Sequence, residues 1–499
     1  MVDRTPTEEQ QKAIDLFAGG STDLVIQAGA GTGKTTTLGM MARSTWRHGS
    51  YLAFNRSTAA DAARAMPMTV EARTVHSIAA GALRRHEAYS RLLDRLGGGR
   101  MAPSKVARLL KLGPIIVEVP AAGRTRTKVL QPSWQGSHVL RAVRAFCHSG
   151  DRHPSRHHFP FVDGIDPPGD DGKRSTINNR LVARELESAL HAAWADLCQP
   201  GGELRWTHDV YLKLAQLNDA PIPGDFLLFD EAQDASPVML AWVTQQQRPT
   251  IYVGDSQQSI YEWRGAINAM AQVGDDVPTA FLTQSWRFGP AIADVANLVL
   301  DRLSAELRLT GTDTIRSVVH TAGYAPTPRA VLCRSNSAAV QSVLTYQEQG
   351  LQPHLVGGAE EIVRFAHAAA KLQAGERTGH PELACFETWR EVVEYVENDP
   401  QGSELRMLVG LLDKYGVQIV VDALDGLMAE DGADVIISTA HKAKGREWPS
   451  VRLTSDFEPG RDGGLSDAEW RLLYVAATRA EEHLDLRACE PLRDLLEPA

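Results

Sequence analysis

Leu24-Val25-Ile26-Gln27-Ala28-Gly29-Ala30-Gly31-Thr32-Gly33-Lys34-Thr35-Thr36-Thr37 is the stretch that decides the fold. A short β-branched run enters a glycine-rich turn, and the turn opens a helix-favouring segment. Glycines let consecutive backbone N–H groups curl inward, and the following helix N-terminus adds its dipole, so the turn is a cradle for phosphate oxygens. Ala28, Gly29, Ala30, Gly31, Thr32, Gly33 and Thr36 form that cradle. Lys34 is placed to reach the β- and γ-phosphates, and the Thr35 hydroxyl to ligate Mg²⁺. Read as mere loop punctuation, the same letters would not need the strand in front of them.

A phosphate cradle of this kind calls for a second strand ending in an acid that holds the metal, with a further carboxylate to activate water. Leu227-Leu228-Phe229-Asp230-Glu231-Ala232-Gln233-Asp234 supplies both. Asp230 is the expected metal partner and Glu231 the expected general base. Alone, paired acids after a strand usually cap a helix; together with the cradle they point to ATP hydrolysis.

Outward from these two stretches, apolar runs at 24–28, 51–54, 226–230, 250–255, 330–335, 434–439 and 451–456 alternate with helix-like segments. That alternation predicts an α/β fold with parallel sheets covered on both faces. Two regions break it. From Arg84 to Arg156 there are 15 Lys or Arg against four acids, a local excess of 11 positive charges in a chain whose net charge is −10. The block continues into His153-Pro154-Ser155-Arg156-His157-His158 and a Pro/Gly-rich run. From Glu387 to Asp434 the balance reverses, with 12 acids against three bases. Each region sits between strand-rich stretches, so the expected plan is two α/β cores, each interrupted by an insertion. A charge run is usually a solvated face; beside a phosphate-binding motor core, the basic one becomes a candidate nucleic-acid surface.

No window approaches 18 consecutive apolar residues, and the N-terminus lacks a basic segment followed by an apolar one, so neither a membrane span nor a signal peptide is expected. The chain is expected in the cytoplasm, associated with the nucleoid. Five widely spaced cysteines without a CxxC pair (Cys147, Cys198, Cys333, Cys385, Cys489) are expected as buried, reduced thiols. There is no internal repeat of fixed period.

Further motifs follow in order: Thr7-Glu8-Glu9-Gln10, Ala53-Phe54-Asn55-Arg56, Thr74-Val75-His76-Ser77, a run from Val253 to Ala266 (VGDSQQSIYEWRGA), Gln284-Ser285-Trp286-Arg287, a run from Ser438 to Trp448 (STAHKAKGREW), and Tyr474-Val475-Ala476-Ala477-Thr478-Arg479-Ala480. Together with the cradle and the DEAQD run, these resemble superfamily 1A helicases of the UvrD/Rep branch. AFNRS and AHKAKG are closest in wording to the F-box-type helicase group, although no F-box is evident. Ala28 stands where the strict phosphate-loop pattern has Gly, a change that such helicases also carry.

The resemblance implies two RecA-like P-loop NTPase domains in a 1A/1B/2A/2B arrangement. Residues 1–80 and 215–280 would form motor domain 1A, 81–214 the basic insertion 1B, 281–375 and 431–499 motor domain 2A, and 376–430 a reduced acidic insertion 2B. It implies that Gln10 reads adenine and that Trp286, in place of a more usual Tyr, stacks on it. Gln258 would sense the γ-phosphate, Arg287 and Arg479 would act across the cleft, and Glu447 would lie on the nucleotide side. Phe54, Arg56, Thr74, His76, Tyr261, Trp263 and His441 would contact DNA. The cofactors implied are ATP and Mg²⁺. The partners are single-stranded DNA and its junctions with duplex, and the motor is expected to be a monomer.

The expected activity is an ATP-dependent helicase or translocase moving 3′ to 5′ in repair, recombination or replication. Two alternatives stay open. One is a DNA-stimulated ATPase that strips proteins and unwinds little; the other acts through a partner, similar to the UvrD-like subunit of Gabija-type defence systems. The stretch from Arg287 to Ile436 is short for a UvrD-like protein, and with 20 residues after Arg479 the nuclease domain of some relatives is not expected.

Overall fold

A computed structural model describes residues 5–496 apart from 21, 86, 97–100, 122–123, 163–164, 167–175, 263–264, 275, 381, 384–385, 387, 399–402 and 459–463. The strands in chain order are β1 (Leu24–Ala28), β2 (Gly49–Ala53), β3 (Val70–Thr74), β4 (Ile115–Ala121), β5 (Arg124–Leu130), β6 (Phe226–Asp230), β7 (Thr250–Gly254), β8 (Thr279–Leu282), β9 (Val318–His320), β10 (Ala330–Cys333), β11 (Pro353–Leu355), β12 (Val435–Thr439), β13 (Trp448–Leu453) and β14 (Ala480–Asp485). They form two six-stranded sheets, ordered β3-β2-β6-β7-β1-β8 and β11-β12-β10-β13-β14-β9, and the hairpin β4-β5. Every pairing within the two large sheets is parallel, while the hairpin is antiparallel.

Both faces of each sheet are covered, as period-2 burial requires. In the first sheet, Leu24, Ile26, Ala28, Tyr51, Phe226 and Leu228 pack on one side with Phe17 and Leu38 of the N-terminal helices. Their neighbours Val25, Leu52, Leu227, Phe229 and Tyr252 face the other way, into a cluster with Val117, Leu130, Val139, Leu186 and Leu190 of the basic insertion. The second sheet repeats the scheme. Ala330, Leu332, Val451 and Leu453 pack on Val295, Val299 and Leu473, whereas Val331, Cys333, Val435 and Ile437 share a core with Phe365, Val392, Val409 and Val420. The last three belong to the helices Trp389–Asn398, Ser403–Tyr415 and Val417–Asp425 of the acidic segment. Each insertion therefore completes its host's core.

The element ends differ from the expected divisions. Position 80 falls inside the helix Val75–Arg84 and position 215 inside the helix His208–Leu217, while β8 carries the first sheet to Leu282. These two helices pack on each other at the root of the insertion. Cys147, Cys333 and Cys489 are buried free thiols as expected; Cys198 is free but half-buried, and Cys385 lies outside the described residues. Among the described residues, no helix is long and apolar enough to cross a membrane.

Candidate functional site

Because the first sheet is parallel, β1, β6 and β7 deliver their carboxyl ends to one edge, where ligands of open α/β sheets bind. The turn after β1 uses glycine at two places where the backbone is left-handed, Gly31 (φ 74°) and Gly33 (φ 80°). A Cβ on Gly31 would also stand 2.6 Å from Arg287 Cβ and 2.7 Å from Ser285 Oγ, so this residue must be small as well as left-handed. Gly33 opens the helix Lys34–Arg43 without any side-chain cap, leaving its first-turn N–H groups for an anion.

Lys34 Nζ donates to Glu231 Oε1 at 2.6 Å. Burial lowers the Lys34 pKa, but Glu231 and Asp230 outweigh it and hold the ammonium above its usual range. For Glu231, burial pushes up and Lys34 and Lys444 push down; the cations win, holding the carboxyl at about 2. Its backbone is left-handed (φ 53°), uncommon outside glycine and costing of order 1 kcal/mol or more. Gln233 donates to its other oxygen.

Asp230 is 3% exposed. Its Oδ2 accepts a short bond from the Tyr51 hydroxyl, which also interacts with the Thr35 side chain. Its Oδ1 is buried with no hydrogen-bond partner. A buried, unsatisfied carboxylate oxygen beside a hydroxyl is the donor set a hard divalent cation takes, so Asp230 and Thr35 fit Mg²⁺. Burial, followed by Glu231, raises the Asp230 pKa. Tyr51 was readable in the sequence only as a core residue of a strand; nothing there marked its hydroxyl.

The segment that follows β8, together with the second sheet, supplies the opposite wall. Ser285 Oγ donates to Ala30 O at 2.8 Å and Trp286 N–H to Gly31 O at 2.9 Å, which fastens this segment directly to the phosphate loop. Trp286 is 53% exposed, and a Cβ on Gly33 would lie 3.9 Å from it and 3.7 Å from Gln10 Nε2. Gln10 is thus beside the loop, where its Oε1 accepts from Thr7 N–H and its Nε2 donates to Thr37 Oγ1, both at 3.1 Å. One amide hydrogen and one lone pair remain for a base edge. Arg287 Nε donates to Glu447 Oε2 at 2.6 Å.

Arg479 is 2% exposed. Burial, with Arg287 nearby, lowers its pKa. Its Nη2 faces Gln258 Oε1 at 3.5 Å, and Gln258 Nε2 donates to Asp255 Oδ2 at 2.8 Å. Tyr474 donates its hydroxyl to the same Asp255 oxygen at 2.9 Å. Asp255 and Tyr474 lay inside motifs noted in the sequence, yet neither carried an expected role; together they join the two sheets beside the phosphate loop. Lys444 makes a parallel bridge, donating to Asp234 Oδ2 at 2.6 Å and Gln258 O at 2.5 Å. Burial is the main reason the Asp234 pKa rises to about 6.

The expected DNA contacts fall into two groups. Phe54 is 45% exposed just beyond β2, and Asn55 caps the helix Arg56–Ala65, leaving Arg56 exposed in its first turn. Thr74 ends β3 beside Ala53, but its hydroxyl caps the next helix by accepting from Ser77 N–H at 3.1 Å. His76 is half-buried, edge-on to His208 and Tyr211, and burial lowers its pKa. The second group bridges the sheets: the Tyr261 hydroxyl donates to His441 O at 2.9 Å, and Lys444 Nζ lies 5.5 Å from the Tyr261 ring centre. Trp263 lies outside the described residues.

Comparison with known proteins agrees with this geometry. Residues 10–264 match an AAA domain, and residues 434–486 match the UvrD-like helicase C-terminal domain. F-box DNA helicase protein 1 of Schizosaccharomyces pombe is 29% identical over 96% of this chain and 57% of its own length. F-box DNA helicase 1 of Gallus gallus is 28% identical over 96% of this chain and 48% of its own length. ATP-dependent DNA helicase UvrD2 of Mycobacterium tuberculosis is 24% identical over 54% of this chain and 49% of its own length. The chain thus spans about half the length of the curated relatives it matches. With an AAA domain over half its residues and the UvrD-like domain behind it, the chain belongs to the UvrD-like helicases of superfamily 1.

Proposed function

We propose that this protein is an ATP-dependent DNA helicase that moves 3′ to 5′ along single-stranded DNA, with its fuel site between the two sheets. The observation that carries the reading is the convergence of Lys34, Glu231, Asp230 and Gln258 from the first sheet on Arg479 from the second and on Arg287 from the segment that joins them. The relatives named as DNA helicases support the nucleic-acid class.

The residues divide the work. Trp286 stacks on adenine while Gln10 pairs with its edge, and the backbone from Ala28 to Thr36 wraps the phosphates. Thr35 and Asp230 would hold Mg²⁺, which when bound would supply charge neutralisation on the phosphates. Lys34 swings from Glu231 to the phosphates. Losing that cation raises the Glu231 pKa, which turns an inert carboxylate into a competent acceptor for the proton of the attacking water. Gln258 orients the water, and Arg287 and Arg479 donate to the transferring phosphoryl group, with Glu447 holding Arg287 in place. Loss of the γ-phosphate frees Arg479 and Gln258. That change passes through Gln258 and Lys444 to Tyr261 and His441, where bases stack, alongside Phe54, Arg56, Thr74, His76 and Trp263.

The test is the steady-state ATPase rate with and without single-stranded DNA, together with strand displacement from duplexes carrying a 3′ or a 5′ tail, using Glu231→Gln as the inactive control. DNA-stimulated hydrolysis with displacement only from the 3′ tail is expected. The absence of stimulation in the wild type would overturn the motor reading. A second reading, a translocase that unwinds little and acts with a partner, draws on the acidic helices 389–425, which pack into the second sheet's core. Stimulated hydrolysis without displacement would select it.

A further inference from the structure

Away from the cleft, one cluster of ligand-type side chains has no part in the motor. The helix Pro132–His148 of the basic insertion ends in a loop that turns back over it, and the loop brings together Asp151, His157 and His158. Asp151 Oδ2 lies 2.7 Å from His157 Nε2 and 3.0 Å from His158 Nε2. Ligand atoms of the three residues all lie within 4.8 Å of one another. The His158 side chain is only 3% exposed, seated edge-on against Phe146 with ring centres 5.2 Å apart.

The far sides of both rings are held by Ser155. His157 Nδ1 stands 2.6 Å from Ser155 Oγ, and His158 Nδ1 stands 3.0 Å from Ser155 O. An imidazole that donates Nδ1–H to an oxygen turns the lone pair of Nε2 to the opposite side, which is how metal-ligating histidines are oriented. His158 Nδ1 is also 3.1 Å from Ser155 N, so the ring has a second tautomer in which it accepts there. Ion binding selects the first.

We propose that Asp151, His157 and His158 form a three-ligand site for a divalent transition-metal ion, with Zn²⁺ the ion it suits best. Two imidazole nitrogens and one carboxylate oxygen, with water in the fourth position, are a donor set zinc takes tetrahedrally. Bonds of about 2.0 to 2.1 Å at tetrahedral angles separate ligand atoms by about 3.3 Å. The two Asp151–histidine distances must open by about half an ångström, and the two exposed members, Asp151 and His157, have the freedom to do it around the buried His158. Cations oppose the ion: Lys213 Nζ donates to the main-chain oxygens of Ser149 and Asp151, and Arg152 lies next in sequence. Micromolar affinity is therefore expected rather than the tightest zinc binding.

The site's place in the fold gives it a structural use. Lys213 and Gln216 of the helix His208–Leu217 hold this loop, and Gly150 packs toward Pro237 and Ala241 of the helix following the DEAQD run. An ion here would pin the root of the basic insertion against the first motor core.

The full chain, without an affinity tag and stripped by a chelator, is titrated with Zn²⁺ alone by calorimetry and with Co²⁺ by visible absorption. His157→Ala and Asp151→Asn alter exposed side chains, and circular dichroism checks their fold. His191→Ala, on an exposed position elsewhere in the insertion, is the control. One equivalent is expected to bind wild type and the control, with a tetrahedral cobalt spectrum, a rise in Tm on adding zinc, and at least tenfold weaker binding in both site variants. No uptake by folded wild type, or equal uptake by His157→Ala, would overturn the proposal.

Discussion

Along one edge of the first sheet, the tips of β6 and β7 carry side chains that are buried and bonded to one another, while the tip of β2 hands its side chains to solvent. Asp230, Asp255 and Gln258 are no more than 5% exposed, against 45% for Phe54. The difference separates two kinds of dependence. In the buried group each charge is tolerable because its neighbours compensate it, so removing one changes the rest. In the exposed group each side chain adds its own increment to a binding surface and little else.

Arg479→Ala tests the first kind most severely. A lost arginine finger lowers kcat by about 10³- to 10⁵-fold, and single-stranded DNA affinity is expected to stay within a few-fold of wild type. Single-turnover hydrolysis and fluorescence anisotropy would measure the two. A comparable loss of DNA binding would erase the division between the regions.

Lys444→Met probes the join. Breaking a buried pair costs about 3 to 5 kcal/mol when the remaining charge is stranded, and here that charge is Asp234. Its carboxyl already titrates at about 6 because burial raises it, so the folded state holds the proton more tightly than the unfolded one. Stability linked to that proton is complete below the unfolded value and is lost as pH rises through 6. Removing Lys444 lifts the folded value further. The Tm gap between variant and wild type should therefore be widest near pH 8 and narrow below pH 6; a gap independent of pH would mean that packing, not charge, is what Lys444 contributes.

Phe54→Ala sharpens the exposed side. About 1 to 3 kcal/mol of stacking per base predicts roughly 5- to 150-fold weaker single-strand binding with an unchanged salt slope, whereas Arg56→Ala should reduce that slope by about one. Basal ATPase without DNA should not move in either. A fall in basal rate would place these residues in the fuel network.

The same contrast explains what could be read from the chain beforehand. β1 and β6 lie where their apolar runs predict, because both faces of each are buried and composition alone reveals them. β3 went unrecognised: in Val70–Thr74 only Val70 is buried, so the edge strand has no apolar signature. β14, Ala480–Asp485, is similarly disguised by its acids. In the site, Lys34, Asp230 and Glu231 were named from the residue types and spacings that phosphate chemistry demands, and Arg287 and Arg479 from the resemblance of their motifs. Tyr51, Asp255 and Tyr474 were not, since a buried hydroxyl meeting a carboxylate from another element leaves no local pattern. Thr74 shows the converse: its hydroxyl also caps a helix by accepting from Ser77 N–H, a local role that its place in the motif did not announce.

The packing of each insertion into its host sheet bears on how the chain can be cut and rearranged. Val25, Leu52, Leu227 and Phe229 lose their cover if the basic insertion is removed, and Val331, Val435 and Ile437 lose theirs with the acidic helices. Two cores and two insertions therefore amount to two units of inheritance. Transplanting an insertion between relatives would succeed only if the inward residues of the receiving strands travelled with it.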